Sequence, residues 1–131
     1  MTLPDFSPGI DLVENARIAT ALERGGEAFL RRTFTEAEVA YCQKHRDPVP
    51  HFAARFAAKE AVAKAFTTGI GEAAAFREIE VIHQPGGAPA IHLHGSAAAT
   101  AAAQGMTSLQ LSLTHTSHYS AAMVILQRRP S

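Results

Sequence analysis

The chain has 131 residues and a mass of 14.0 kDa, one domain's worth, and its 47% hydrophobic against 18% charged residues exclude a disordered polymer. Twelve Lys and Arg balance twelve Asp and Glu, so no global basic field draws the chain to nucleic acid. One cysteine, Cys42, excludes an internal disulfide and a Cys-rich zinc site, and no apolar run approaches the ~20 residues of a membrane span. The N-terminus has neither the basic nor the apolar region of a signal peptide, so the expected location is the cytoplasm. Alanine at 26 positions and the absence of Trp predict closely packed helices and a lean core that association could enlarge.

In chain order, residues 9–13 read as a short strand led in by Pro8. Residues 15–24 and 26–33 read as two short helices broken at Gly25-Gly26. Thr35 and Glu38 have the spacing of a capping box, which starts a helix running to about Lys44. Asp47-Pro48-Val49-Pro50 punctuates, and a helix over 51–67 follows, with Phe52, Phe56, Ala63 and Phe66 as its expected buried stripe and Gly69 and Gly71 as its stop. Ile79 and Val81 alternate as a strand, the 85–89 segment turns, and residues 90–93 return as a hairpin. An Ala-rich helix from Ser96 ends at Gly105, a C′ residue. Residues 109–113 and 119–127 are strands joined by a turn near 115–118. The predicted class is α+β, an antiparallel sheet packed with a long central helix, as one domain over residues 1–131.

Several polar residues sit where the pattern wants apolar ones. Asp11 lies inside an apolar strand; helix capping or a functional partner would each account for it. Glu60 falls at the edge of the face that must be buried, among Arg55, Lys59 and Lys64. An exposed Glu60–Lys64 pair is the plain reading, worth a few tenths of a kcal/mol. Two carboxylates with several cations instead suit a hard divalent ion and a phosphorylated ligand. His115 ends a strand, where side chains often reach a site. His45, His51, His83, His92, His94 and His118 show no persuasive zinc spacing. No phosphate-binding glycine loop occurs.

These segments resemble the holo-[acyl-carrier-protein] synthases, the small bacterial class of 4′-phosphopantetheinyl transferases. The resemblance rests on Gly9-Ile10-Asp11, on the run from Arg55-Phe56-Ala57-Ala58-Lys59-Glu60-Ala61 to Lys64, and on Ser112-Leu113-Thr114-His115, in the family's order over residues 9–127. It implies transfer of the phosphopantetheine arm of coenzyme A to a serine of apo acyl carrier protein, releasing adenosine 3′,5′-bisphosphate. It further implies Mg²⁺ held by Asp11 and Glu60, and Lys64 on the pyrophosphate. Arg55 and His115 would reach the 3′-phosphate, with Lys59 near it, and the turn at Gly87-Ala88-Pro89 would line the adenine. Arg17 and Arg24 match carrier-docking positions, and the family acts as a homotrimer with shared sites. Either Glu60 or a metal-bound water would serve as the base. A non-catalytic coenzyme A-binding module, or a transferase dedicated to a polyketide carrier, are the alternatives.

Overall fold

The computed structural model describes residues 2–130. Strand β1 (Phe6–Glu14) leads into helix α1 (Asn15–Thr33), α2 (Glu36–Gln43) and α3 (Val49–Ala65). A 3₁₀ turn (Phe76–Glu78) then precedes the hairpin of β2 (Ile79–His83) and β3 (Pro89–Leu93). Helix α4 (Gly95–Ala103) and strands β4 (Met106–His115) and β5 (Tyr119–Arg128) complete the chain. The α+β class is as expected, but the strands form two sheets: an antiparallel β1-β5-β4 sheet and the separate β2-β3 hairpin.

Local signals act as read. Thr35 Oγ1 accepts from Glu38 N at 3.2 Å and Thr35 N donates to Glu38 Oε1 at 2.9 Å, closing the capping box. Gly26, at φ 49° and ψ −136°, breaks α1 where the paired glycines predict. Gly105, at φ 74°, follows the C-cap of α4. Pro8 lies within β1 rather than at its start, which the strand tolerates because β1 is an edge of its sheet.

Helix α3 departs from expectation in two ways. It begins at Val49, because Pro50 falls in the first turn, where a missing N–H costs nothing. It is also buried almost all round: α3 lies across β1 and β5 on one side and meets α1, α2 and β2 on others. Small residues permit this enclosure, with Ala53, Ala54, Ala57, Ala58, Ala61, Ala63 and Ala65 all in the core. Phe52, Ala63 and Phe66 of the expected stripe are buried, but Phe56 is corrected: with Glu60 and Lys64, one turn apart, it forms the least buried line along the helix.

The sheet has two unlike faces. Ser7, Gly9, Asp11 and Val13 point toward α3, while Phe6, Ile10 and Leu12 on the other face are 58%, 66% and 65% exposed. Met123 is opposite Ile10 and Ala121 opposite Leu12, so the outer face of β1 and β5 is a continuous apolar surface. Buried Arg128 fastens the ends of the sheet, donating to Pro4 O, Ser7 Oγ and Gln104 Oε1.

Candidate functional site

The first cluster forms where β1 crosses α3. An added Cβ at Gly9 would collide with the carbonyl oxygen of Ala61 and lie 2.8 Å from its carbon, so only glycine allows the strand so close. Asp11, two residues along the same face, is thereby delivered to the open stripe of α3. Lys64 Nζ donates to Asp11 Oδ1 at 3.1 Å and to Ile10 O at 2.9 Å. The plain readings of these residues are corrected: Glu14, not Asp11, occupies the N-cap of α1, and Lys64 pairs with Asp11 rather than Glu60.

Glu60 is pushed above the ordinary glutamate range, first by burial and then by the charge of Asp11; Lys64 and Arg17 act in the opposite direction. Two carboxylates repelling one another beside cations form a site that welcomes further positive charge. They can offer hard oxygen donors to a divalent ion, with the remaining positions left to water and ligand oxygens. Among the described residues no group of three or more His, Cys, Asp or Glu side chains is placed to hold a metal.

The second cluster lies at the other end of α3. Arg55 is 3% exposed, and its guanidinium lies over the Tyr41 ring with 4.3 Å between Cζ and centroid. Its Nη1 donates to His51 O at 3.1 Å, and Nη2 lies 2.8 Å from His83 Nε2. A guanidinium has only protons to give, so His83 Nε2 accepts, and its Nδ1 then donates to Gly87 O at 3.2 Å. Arg55 Nε is buried and has no partner among the described residues. The rings of His45 and His51 stack at 3.5 Å, His51 meets His115 at 5.5 Å, and Tyr41 stacks on His83 at 4.2 Å. Pro89 pairs with His83 across the hairpin, so the 86–89 turn borders this cluster.

Asp11, Glu60, Lys64 and Arg17 therefore share one neighbourhood, and Arg55, His115 and the hairpin turn share another. Five residues separate Arg55 from Glu60, which places them about 140° apart around the helix. Lys59 belongs to neither. It is fully buried and donates to Glu38 Oε1, Phe76 O and Ile79 O at 2.8, 2.9 and 2.6 Å. All three ammonium protons are spent inside the protein, so its expected role near a ligand phosphate is corrected to an internal tie between α2, α3 and the hairpin. Arg17 and Arg24, two turns apart on α1, are both exposed. Cys42 is buried and its thiol is pushed up to about 12 by that burial, which leaves it unreactive. Two clefts, of about 390 Å³ beside Leu30, Phe34 and Val39 and about 400 Å³ beside Thr35, Glu80 and His94, hold neither cluster.

Sequence reasoning missed Tyr41, His45, His51 and His83 as site residues. One signal was local: Arg55 stands four residues after His51, one helical turn along. The rest depends on α2, β2 and β4 converging.

The model of the 4′-phosphopantetheinyl transferase superfamily matches residues 7–124. The holo-[acyl-carrier-protein] synthase of Leptospira biflexa is 44% identical over 125 residues, covering 95% of this chain and 98% of that protein. The crystal structure of the holo-[acyl-carrier-protein] synthase of Neisseria meningitidis superposes with a TM-score of 0.86 at 33% identity, covering 93% of this chain and 98% of the other. The Helicobacter pylori synthase, crystallised in complex with coenzyme A, gives a TM-score of 0.82 at 32% identity over 92% and 99%.

Proposed function

This chain belongs to the 4′-phosphopantetheinyl transferase superfamily, and on that premise we propose that it is a holo-[acyl-carrier-protein] synthase. It transfers the 4′-phosphopantetheine arm of coenzyme A to a serine of apo acyl carrier protein, in the cytoplasm. The observation that carries the reading is the pair of clusters at the two ends of α3: carboxylates with a lysine at one end, an arginine with imidazoles at the other. Coenzyme A has a pyrophosphate and, across its ribose and adenine, a 3′-phosphate, so it presents charges to both.

The reaction forms a bond from the serine oxygen to the β-phosphorus and breaks the pyrophosphate bond, releasing adenosine 3′,5′-bisphosphate. Lys64 would bind the pyrophosphate, Arg55 and His115 the 3′-phosphate, and the turn ending at Pro89 would border the adenine. For the serine proton the side chain offered at this corner is Glu60, with water as the alternative acceptor. Asp11 and Glu60 fit Mg²⁺, since both are hard donors and a dication would offset the charge of Asp11, which after burial is the second cause that raises Glu60. Bound there, Mg²⁺ would neutralise the charge that develops on the phosphates. Positioning and electrostatics are most of what phosphoryl transfer asks of a protein.

Arg17 and Arg24, exposed on α1, suit docking of an acidic carrier. The apolar outer face of β1 and β5 supports self-association, and we read the assembly as a homotrimer with sites between subunits. Incubation with coenzyme A, Mg²⁺ and apo carrier should add the mass of the arm to the carrier; no gain would leave a binding module without turnover. Light scattering should give three times 14.0 kDa, and a fully active monomer would overturn the shared site.

A further inference from the structure

The imidazoles around Arg55 form a structure of their own. Five side chains from five parts of the fold pack ring against ring: Tyr41 from α2, His45 from the segment after it, His51 from α3, His83 from β2 and His115 from β4. Two of their protonation patterns follow from hydrogen bonds. His83 accepts from Arg55 and donates to Gly87 O, so it is neutral and fully engaged. His45 Nδ1 lies 3.1 Å from Tyr41 O, which can only accept, so this nitrogen carries the proton and Nε2 is left over. The His51 ring stacks on His45 within the first turn of α3, where the helix dipole favours negative charge.

The charges facing His51 are uneven. Arg55 on its own helix and Lys44 over Tyr41 are cationic, His45, His83 and His115 are imidazoles, and Asp47 is the carboxylate that opposes them. The His51 imidazole is accordingly pushed down to about 4, first by burial and then by His45, Arg55 and His115. Arg55 Nε, buried without an acceptor among the described residues, leaves a donor to spare for an anion.

We propose that the stacked His45–His51 pair, with His115 and Arg55, forms a phosphomonoester site that takes up a proton when the dianion arrives. The 3′-phosphate of coenzyme A is then held by charge that the empty protein does not carry. This inference rests on the reading that coenzyme A sets its 3′-phosphate at Arg55 and His115. The physical reason is reciprocal. Burial, the first cause that lowers His51, persists in the filled site, but the part due to His45, Arg55 and His115 is offset by the two negative charges of the phosphate, so ligand and proton favour one another. The phosphate's own second ionisation, near pH 6, releases protons as the dianion binds, so it opposes uptake and cannot imitate it.

Calorimetric titration tests this with coenzyme A and with 3′-dephospho-coenzyme A, in two buffers of different ionisation heat near neutral pH. Coenzyme A should bind with net proton uptake and the dephospho form without it. The affinity ratio of the two ligands should widen as pH falls from about 8 to about 6.5, by at most roughly tenfold per unit for one whole proton. In His51→Gln, and more weakly in His45→Gln, coenzyme A should keep an advantage that no longer grows as pH falls; melting curves matching wild type would exclude misfolding. Tighter binding of coenzyme A with no uptake, or uptake unchanged in both variants, overturns the proton linkage alone. Equal affinity for the two ligands would overturn the placement of the 3′-phosphate, and the linkage with it.

Discussion

Two lysines of α3, five residues apart, show how one chemistry serves two purposes. Lys59 is sealed against Glu38 and two carbonyls, while Lys64 reaches across an open corner to Asp11 with 53% of its side chain exposed. Glu38 is as completely engaged as its partner, since it also closes the capping box and accepts from Val81 N at 2.8 Å. Every charge in the first region has its full set of partners, and the region ties three elements together. In the second, Glu60 and Asp11 repel one another and Lys64 is half in water. Enclosure makes an ion pair architecture; incompleteness makes it a place for a ligand.

That contrast can be broken by separating stability from activity. The largest effect should come from Glu60→Gln or Asp11→Ala: transfer falls about a hundredfold or more, with no loss in denaturant midpoint. Near-normal turnover at ordinary Mg²⁺ would end the assignment of that corner. Glu38→Gln should do the reverse. It leaves the Lys59 ammonium buried without its counter-charge, at a cost of about 3–5 kcal/mol in denaturant unfolding, while the protein that remains folded keeps its transfer rate. Should Lys64→Met lower stability as much as Lys59→Met, the distinction between the two lysines would not hold.

Smaller effects sharpen the picture. Reversing Arg24 to Glu should raise the apparent KM for the carrier several-fold and leave coenzyme A affinity unchanged; reversing Arg17 as well should remove most of the salt dependence of transfer, and it also alters the field at Glu60. An unchanged KM and salt response would make that helix face ordinary solvated surface. The smallest effect concerns pH. Glu60 holds its proton more tightly in the folded protein, so the folded state is penalised while Glu60 is ionised. In metal-free protein that penalty lifts as pH falls through the raised value toward the ordinary glutamate range. Melting temperature should therefore gain in that window relative to Glu60→Gln, and Mg²⁺ should reduce the gain.

What the sequence discloses depends on the range over which each residue acts. Thr35 and Glu38 show as a capping box because their partners are three residues apart. The rest of Glu38's work is hidden, since Lys59 is 21 residues away and Val81 is 43. The break at Gly26 is local and legible; the enclosure of α3 is not, because a helix rich in alanine gives no periodic contrast to show which sides are covered. Asp11 and Glu60 stand out as charges in apolar surroundings, and Lys64 follows from the motif. Lys59 is misplaced for the complementary reason: nothing in a run of cations tells which one points inward. The imidazole cluster is the extreme case, assembled from positions 41 to 115 with one helical-turn spacing as its trace.

The order of the sheet bears on how the protein is made. Strand β5 is the middle strand, paired on one side with β1 and on the other with β4, yet it follows both of them in the chain. On a ribosome β1 waits without its strand partner until β5 has emerged, and until then α3 has only one of the two strands it packs on. Only local pieces, α1, α2 and the β2-β3 hairpin, can form earlier, because their contacts are short in sequence. The sheet is therefore completed only when β5 arrives, and a change that unseats β5 removes both strand pairings at once.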